Sequence, residues 1–89
     1  MPRNYTWNPA KNKGNIRDHG VDFAQSERFE WETAVIDIDD REDYGELREV
    51  ATGFLGDILH VLVYTVRGDA THIIRLRRAS KRERKNFSE

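Results

Sequence analysis

The sequence predicts an α+β fold with two N-terminal helices, a four-stranded antiparallel sheet and a short C-terminal helix. Three observations predict it. A proline-led start and a glycine stop bracket a helix in residues 8–20, four β-rich segments with short polar turns fill residues 33–78, and the capping-box pattern S-x-x-E spans Ser80–Glu83. At 89 residues, the chain is expected to form a single domain, 1–89, with a small core.

The N-terminal elements follow from local signals. Tyr5–Trp7 is a candidate short strand. Asn8 can accept a hydrogen bond from a free amide as the N-cap, and Pro9 fits the first helical position because no N–H is needed there. Gly20 is suited to end this helix. A second short helix is predicted from about Asp22 to Phe29.

Four further segments have the alternation and β-branched content of strands. The third is apolar on both faces, which predicts a central position in the sheet. Helices are expected to cover one face of this sheet. The segments are Thr33–Asp40, Leu47–Phe54, Ile58–Val66 and Ala70–Arg78, and the last helix follows the hinge residue Ala79 and runs to about Phe87.

Side-chain periodicity assigns residues to faces. In the first helix, a spacing of four places Lys11, Asn15 and His19 on one stripe. In the last strand, strict alternation divides the side chains between two faces. One face receives Thr71, Ile73, Arg75 and Arg77, and the other receives His72, Ile74 and Leu76.

The charge of the chain is segregated, although its formal net charge is only −1. Residues 1–21 carry a net charge of +3, residues 22–49 carry −8 with eleven acidic side chains, residues 50–66 carry −1 and residues 67–89 carry +5. A basic end of this kind suits the phosphate backbone of a nucleic acid, whereas the acidic segment suits a basic partner.

Composition and motifs argue against several classes of protein. The chain has no cysteine, which excludes a disulfide scaffold and thiol chemistry. Its longest apolar run, nine residues at Ile58–Val66, is too short to span a membrane, and the N-terminus has no apolar signal segment. His19, His60 and His72 lack metal-ligand spacing. We therefore expect a cytoplasmic protein without a membrane partner, metal or cofactor.

The acidic stretch Asp37–Glu46 lacks the ligand pattern of an EF-hand, so it indicates a solvated loop or a protein-docking surface. The most basic stretch, Arg75–Lys85, holds seven positive charges and one negative. Arginine suits phosphate because its planar guanidinium forms two parallel hydrogen bonds and stays charged. From these residues alone, both a nucleic-acid surface and a solvated charged tail remain open.

Four blocks of the sequence resemble one protein family. They are W-x-x-x-K-x-x-x-N-x-x-x-H-G-V-x-F at Trp7–Phe23, D-R-x-x-Y-G-E-x-R at Asp40–Arg48, V-Y-T-x-R-G at Val63–Gly68 and I-I-x-x-R-x-A-x-x-x-E-R at Ile73–Arg84. The blocks keep their order and cover nearly the whole chain. In this combination they resemble the BrnT family of bacterial toxins.

The resemblance implies a ribonuclease toxin of a type II toxin–antitoxin system. Such a protein would have a RelE-like fold, cleave RNA without a metal and arrest translation. Its partner would be a ribbon-helix-helix antitoxin of the BrnA type, with two toxins expected per antitoxin dimer. Operator DNA would be bound only through that antitoxin.

The resemblance also implies roles for individual residues. Arg77 is the first candidate for stabilising the charge of the transition state, and Arg67 is a second phosphate contact. Lys11 and His19 are candidates for phosphate contact or proton transfer, with helix packing and capping as the alternative. Candidates for holding the RNA backbone are Arg75, Arg78, Lys81, Arg82 and Arg84.

Three residues depart from the family pattern. His72 stands where arginine is usual, Arg75 where a small residue is usual, and Phe87 where tyrosine is frequent. These departures bear on catalytic strength more than on the fold. Two rival functions remain open: a non-catalytic RNA- or DNA-binding module, which the basic end would serve equally well, and a protein-interaction subunit that docks through its acidic stretch.

Overall fold

The computed structural model of the chain describes residues 3–40 and 45–88. Over these residues it is an α+β structure, as predicted, and none of its helices is long and apolar enough to cross a membrane. The elements are β1 (Asn4–Trp7), α1 (Pro9–His19), a 3₁₀ helix (Phe23–Arg28), β2 (Val35–Asp39), β3 (Arg48–Leu55), β4 (Ile58–Arg67), β5 (Ala70–Arg78) and α2 (Lys81–Phe87). The residues 41–44 of the expected polar loop, and of the second family-like block, lie outside the described part.

The sheet has five strands in the described residues, and the prediction of four was therefore wrong. Their order is β1-β5-β4-β3-β2. The antiparallel pairing of β2 to β5 is confirmed, but β1 joins β5 in parallel, with Asn4 opposite Ala70 and Trp7 opposite Ile73. The candidate strand at Tyr5–Trp7 is present as β1, but its place in the sheet was not predicted, because its partner β5 lies far along the chain.

The first N-terminal helix is confirmed with its caps. Asn8 accepts hydrogen bonds from the amides of Ala10 and Lys11 at 2.9 and 3.3 Å, and Gly20 ends α1 with φ of 72°. The second is a 3₁₀ helix. Its N-cap Asp22 accepts from the Ala24 amide at 2.9 Å. At six residues it is longer than most 3₁₀ helices, which is why its helical character was predicted but its 3₁₀ type was not.

Helical segments cover both faces of the sheet, and the expectation of one covered face was wrong. On one face, Phe23 and Phe29, which begin and follow the 3₁₀ helix, pack with Leu62. Gly53 allows this packing, because a Cβ there would lie 2.8 Å from the Phe29 ring. On the other face, α2 brings Phe87 edge-on to Phe54, with ring centroids 5.7 Å apart.

A β-bulge in β5 changes the predicted faces of that strand. Tyr64 pairs with Ile73, but the preceding residue, Val63, pairs with Arg75, so Ile74 is the extra residue. Ile73 and Leu76, which strict alternation separates, are therefore both buried in the main core, at 1% and 0% exposure. Arg75 and Arg77 still share a face, but that face is opposite to Ile73.

Candidate nucleic-acid groove

An open groove of about 1210 Å³ lies between α1, β5 and the end of β4. We call it the basic groove. Its lining carries six lysine or arginine side chains against two carboxylates, so it is cationic on a chain of net charge −1. The cations are Lys11, Lys13, Arg17, Arg48, Arg67 and Arg75, the carboxylates are Asp18 and Glu46, and two imidazoles, His19 and His72, also line it.

Asn15 fixes α1 beside β5. It is 7% exposed, and its side-chain amide donates to the carbonyls of Leu76 and Val21 at 2.7 and 2.9 Å while accepting from the Leu76 amide at 3.2 Å. Because the β1 pairing ends at Ile73, Asn15 completes the hydrogen bonding of β5 beyond that point. Lys11 and His19, one turn away on either side along the predicted stripe, both line the basic groove.

The sheet contributes the opposite wall of the groove. Arg75 is exposed on β5, and the bulge places it on the same face as His72. Arg67 ends β4 and donates to both carboxylate oxygens of Glu46, at 2.9 and 3.4 Å. The pair is solvent-exposed and contributes little to stability, but it holds the guanidinium in one orientation. Hydrogen bonding by Arg67 lowers the pKa of Glu46, and the nearby Arg48 and His72 lower it further.

His72 is a partly buried imidazole in this wall. Its Nδ1 shares a 2.8 Å hydrogen bond with Thr6 Oγ1 on β1. Burial lowers the pKa of His72, the positive charge of Arg67 lowers it further, and Glu46 opposes the change. The ring is therefore neutral near pH 7, a form that can accept a proton.

Arg77, the first catalytic candidate, lies outside the lining of the basic groove. Its guanidinium donates to both oxygens of Glu83, at 2.7 and 2.9 Å, and to the Arg78 carbonyl at 3.2 Å. Glu83 also accepts from the Ser80 amide, and Ser80 accepts from the Glu83 amide, so the predicted capping box is confirmed. The Arg77 contact, with these bonds, holds the pKa of Glu83 down to about 2. Arg77 thus connects β5 to the start of α2.

The remaining predicted RNA contacts are on or beside α2 and are exposed. Arg78, Lys81 and Arg82 do not line the basic groove. Arg84 donates to the Ala79 carbonyl at 3.0 Å, which ties it to the hinge between β5 and α2. The structure therefore brings Lys11, His19, Arg67 and Arg75 together in the basic groove, whereas Arg77 and the α2 cations are outside its lining.

Sequence reasoning assigned no site role to several groove residues. Glu46 and Arg48 lie within a family-like block, and this was the only indication in the sequence that they belong to the site. Their charges alone did not predict that they lie near Arg67. His72 was noted only as a departure from the family pattern. Lys13 and Arg17 are off the predicted stripe of α1. In residues 3–40 and 45–88, no three His, Asp or Glu side chains are grouped so that they could hold a metal ion.

The chain matches the model of a known protein family. No curated protein matches the chain. The family model described as ribonuclease toxin, BrnT, of type II toxin–antitoxin system matches residues 7–83. This region contains α1, the whole β2–β5 sheet and the start of α2, and hence every residue that lines the basic groove. Because the match covers most of its length, the chain belongs to the BrnT family of ribonuclease toxins of type II toxin–antitoxin systems.

Proposed function

We propose that the chain cleaves RNA in the basic groove without a metal ion and so arrests translation. One observation carries the assignment to this groove. Lys11 and His19 from α1, Arg67 from β4 and Arg75 from β5 converge there from distant parts of the sequence. Convergent cations and proton-transfer groups in one concave surface are what phosphodiester cleavage requires.

The reaction needs three contributions from the protein. A base removes the proton of a 2′-hydroxyl, whose oxygen then bonds to the adjacent phosphorus while the bond from phosphorus to the 5′-oxygen breaks. Cations stabilise the negative charge that develops on the phosphate oxygens. An acid returns a proton to the departing 5′-oxygen, which leaves a cyclic phosphate and a 5′-hydroxyl.

His72 fits the role of base. Its lowered pKa keeps the ring neutral near pH 7. Because Nδ1 is engaged by Thr6, Nε2 is the nitrogen that exchanges a proton with the substrate. In the tautomer with the lone pair on Nε2, the Nδ1–H donates to Thr6 Oγ1, which orients the ring.

The other groove residues supply charge and the returning proton. Lys11 from α1 and Arg75 from β5 both line the groove, and we assign them the scissile phosphate. Arg67, held by Glu46 at 2.9 Å, contacts a neighbouring phosphate. His19 on α1 protonates the 5′-oxygen. We assign Arg77 a structural role, because its guanidinium donates hydrogen bonds to both oxygens of Glu83.

The exposed cations around α2 extend the RNA-binding surface beyond the site of cleavage. Arg78, Lys81, Arg82 and Arg84 contact backbone phosphates and hence favour no particular sequence. Removing one of them weakens RNA binding and leaves the chemical step intact. The basic end of the chain is then a binding surface next to the active groove.

The family implies a protein antitoxin as partner. We propose that it is a ribbon-helix-helix protein, that two toxins bind one antitoxin dimer, and that operator DNA is contacted through the antitoxin alone. The eleven acidic side chains of residues 22–49 favour a partner with a basic contact surface. The mass of the purified complex in solution tests the stoichiometry, and a 2:2 assembly is expected.

Charge-matched double variants test the active groove. Lys11→Gln with Arg75→Gln removes two groove cations, and Lys81→Gln with Arg82→Gln removes two from α2. Cleavage of a defined RNA under single-turnover conditions should fall at least about 100-fold in the first variant and only a few-fold in the second. Circular dichroism establishes that both are folded.

Three outcomes contradict the proposal or part of it. If the α2 variant loses cleavage and the groove variant keeps it, the active site lies at the basic end. If the wild-type chain binds RNA but does not cleave it, with or without ribosomes, the chain is a non-catalytic binding module. Cleavage that persists in a metal chelator is expected, and its loss would exclude the metal-independent mechanism.

A further inference from the structure

The edge strand β2 leaves apolar side chains in solvent. β2 is the last strand in the sheet order, and within the described residues no strand pairs with its outer edge. Its apolar residues Val35, Ile36 and Ile38 are 51%, 47% and 61% exposed. Proteins usually protect an edge strand with charge, proline, a bulge or a covering segment, because its open backbone groups template pairing with another chain. Three exposed aliphatic residues out of five indicate a strand that is covered in its working state.

Apolar side chains are exposed on both faces of β2. Ile36 lies opposite Ala51 of the main core, on the face of the 3₁₀ helix, whereas Val35 lies opposite Thr52 and faces the α2 side. A strand added to the edge would therefore gain apolar contacts above and below the sheet as well as backbone hydrogen bonds. This combination distinguishes strand addition from the docking of a helix on one face.

A shallow hollow continues from β2 across the α2 side of the sheet. Its volume is about 300 Å³ and its lining includes Val50, Val61 and Val63 between Asp37 of β2 and Arg75 of β5. Arg75 lines both this hollow and the basic groove. A segment that begins on the β2 edge and crosses the hollow thus reaches a cation proposed to contact RNA.

Charge decides between two possible occupants of the edge. Asp37 and Asp40 place two exposed carboxylates in or next to the five-residue strand. If two copies of the chain paired through β2, these carboxylates would be brought together, and like charges opposite each other destabilise a strand pair. An extended segment with lysine or arginine between its apolar residues would instead be attracted.

We infer that β2 is the docking edge for the antitoxin, which adds an extended segment of alternating apolar and basic residues to the sheet. The inference rests on the toxin function proposed above for the nature of the partner, but not on the assignment of the active groove. The added strand covers Val35, Ile36 and Ile38, and its continuation over the hollow lies against Arg75. Neutralisation would then come from occupation of a surface that RNA also needs.

Amide hydrogen exchange tests the docking edge on the unmodified protein. The probe is the cognate antitoxin, co-expressed and purified with the chain. Amides within Val35–Asp39 should exchange at least about tenfold more slowly in the complex than in the free toxin. Unchanged exchange in this strand would overturn the inference.

A pair of variants tests the same edge by affinity. Ile36→Lys with Ile38→Lys should weaken antitoxin binding at least about tenfold, because two apolar contacts are lost and the added charges repel a basic segment. RNA cleavage by the free variant should be unchanged. The control Ile58→Lys changes another exposed isoleucine, 41% exposed at the start of β4, and should not alter antitoxin binding.

Other outcomes are equally informative. Unchanged affinity in the double variant would overturn the inference, and so would a free toxin that is a dimer dissociated by Ile38→Lys, since the occupant would then be a second copy. A chain with no ribonuclease activity would contradict the proposed function, while exchange protection at β2 would still locate the docking edge. The two proposals therefore fail separately.

Discussion

Two arginines of β5 that are only two residues apart have different surroundings. Arg75 is exposed in the basic groove, whereas Arg77 gives both its terminal nitrogens to Glu83. We predict that Arg77→Ala lowers the free energy of unfolding by about 1–2 kcal/mol, because a bidentate, partly buried ion pair is lost. The folded variant should cleave RNA within a few-fold of wild type. Denaturant unfolding and single-turnover cleavage measure the two effects.

Arg82→Ala is the control for this prediction, since Arg82 is an exposed cation of α2. It should leave the unfolding midpoint unchanged. If Arg77→Ala remained as stable as wild type but lost cleavage, Arg77 would be catalytic, as its place in the family-like block suggested. The sequence identified Arg77 as important but not its partner, because a contact to Glu83 depends on how α2 folds back on β5.

The pH dependence of cleavage reports on His72. Burial and Arg67 lower the pKa of this imidazole below its usual 6.5, so the folded protein keeps it neutral at more acidic pH than an exposed histidine. If His72 is the base, protonation of its ring should make the cleavage rate fall on the acidic side, and only at pH values below 6.5. His72→Gln should reduce the rate roughly 100-fold or more and abolish this acidic fall.

His19→Gln is the matched comparison, because it removes the other imidazole of the groove. It should slow cleavage but retain the fall at acidic pH. An acidic fall that survives in His72→Gln would assign the base to another group. The sequence alone could not favour His72, because its pKa is lowered by burial and by the positive charge of Arg67, and both act on the ring only in the folded chain.

At the scale of elements, the features that depend on neighbouring residues were predicted correctly, whereas those that depend on distant contacts were not. The caps of α1, the bounds of β5 and the capping box of α2 depend on neighbouring residues, and all were predicted. The β5 bulge depends on pairing with β4, and it reversed the face predicted for Ile73 relative to Arg75. That reversal matters for the site, since it puts Ile73 in the core and Arg75 in the groove wall.

The contact between α1 and β5 leads to a prediction at the scale of elements. Asn15 makes three hydrogen bonds to backbone groups of Val21 and Leu76. Asn15→Ala should lower the free energy of unfolding by about 2–3 kcal/mol, because the buried Leu76 amide and carbonyl lose their partner. Cleavage should also fall, since Lys11 and His19 are positioned by the same helix. Denaturant unfolding provides the measurement.

Asn86→Ala, an exposed asparagine of α2, is the control and should leave stability unchanged. A stability of Asn15→Ala equal to wild type would show that packing, and not this amide, holds α1 to the sheet. The stripe of Lys11, Asn15 and His19 was predicted from spacing. The hydrogen bonding of Asn15 to β5 was not predicted, because it depends on where the parallel pairing of β1 with β5 ends.

At the scale of the whole molecule, the fold redistributes the charge of the sequence. The most basic linear run, Arg75–Lys85, drew attention to the C-terminal end. In the structure, the basic groove draws its cations from residues 11–17, from Arg48 and Arg67, and only Arg75 from that run. Linear charge therefore indicated a nucleic-acid partner but not the groove that we propose as the active site, because the groove is assembled from distant parts of the sequence.

This distribution predicts how RNA binding depends on salt. Binding to single-stranded RNA weakens with salt with a slope of about −0.7 for each phosphate neutralised. An RNA protected from cleavage by 2′-O-methylation should bind wild type with a steep slope. In Lys11→Gln with Arg75→Gln the slope should decrease by about 1.4, since two contacts are lost. Lys81→Gln with Arg82→Gln should change the slope less, because both side chains lie outside the lining of the groove. A larger change in the α2 variant would place the main RNA contact on the basic end and leave the groove as a secondary surface.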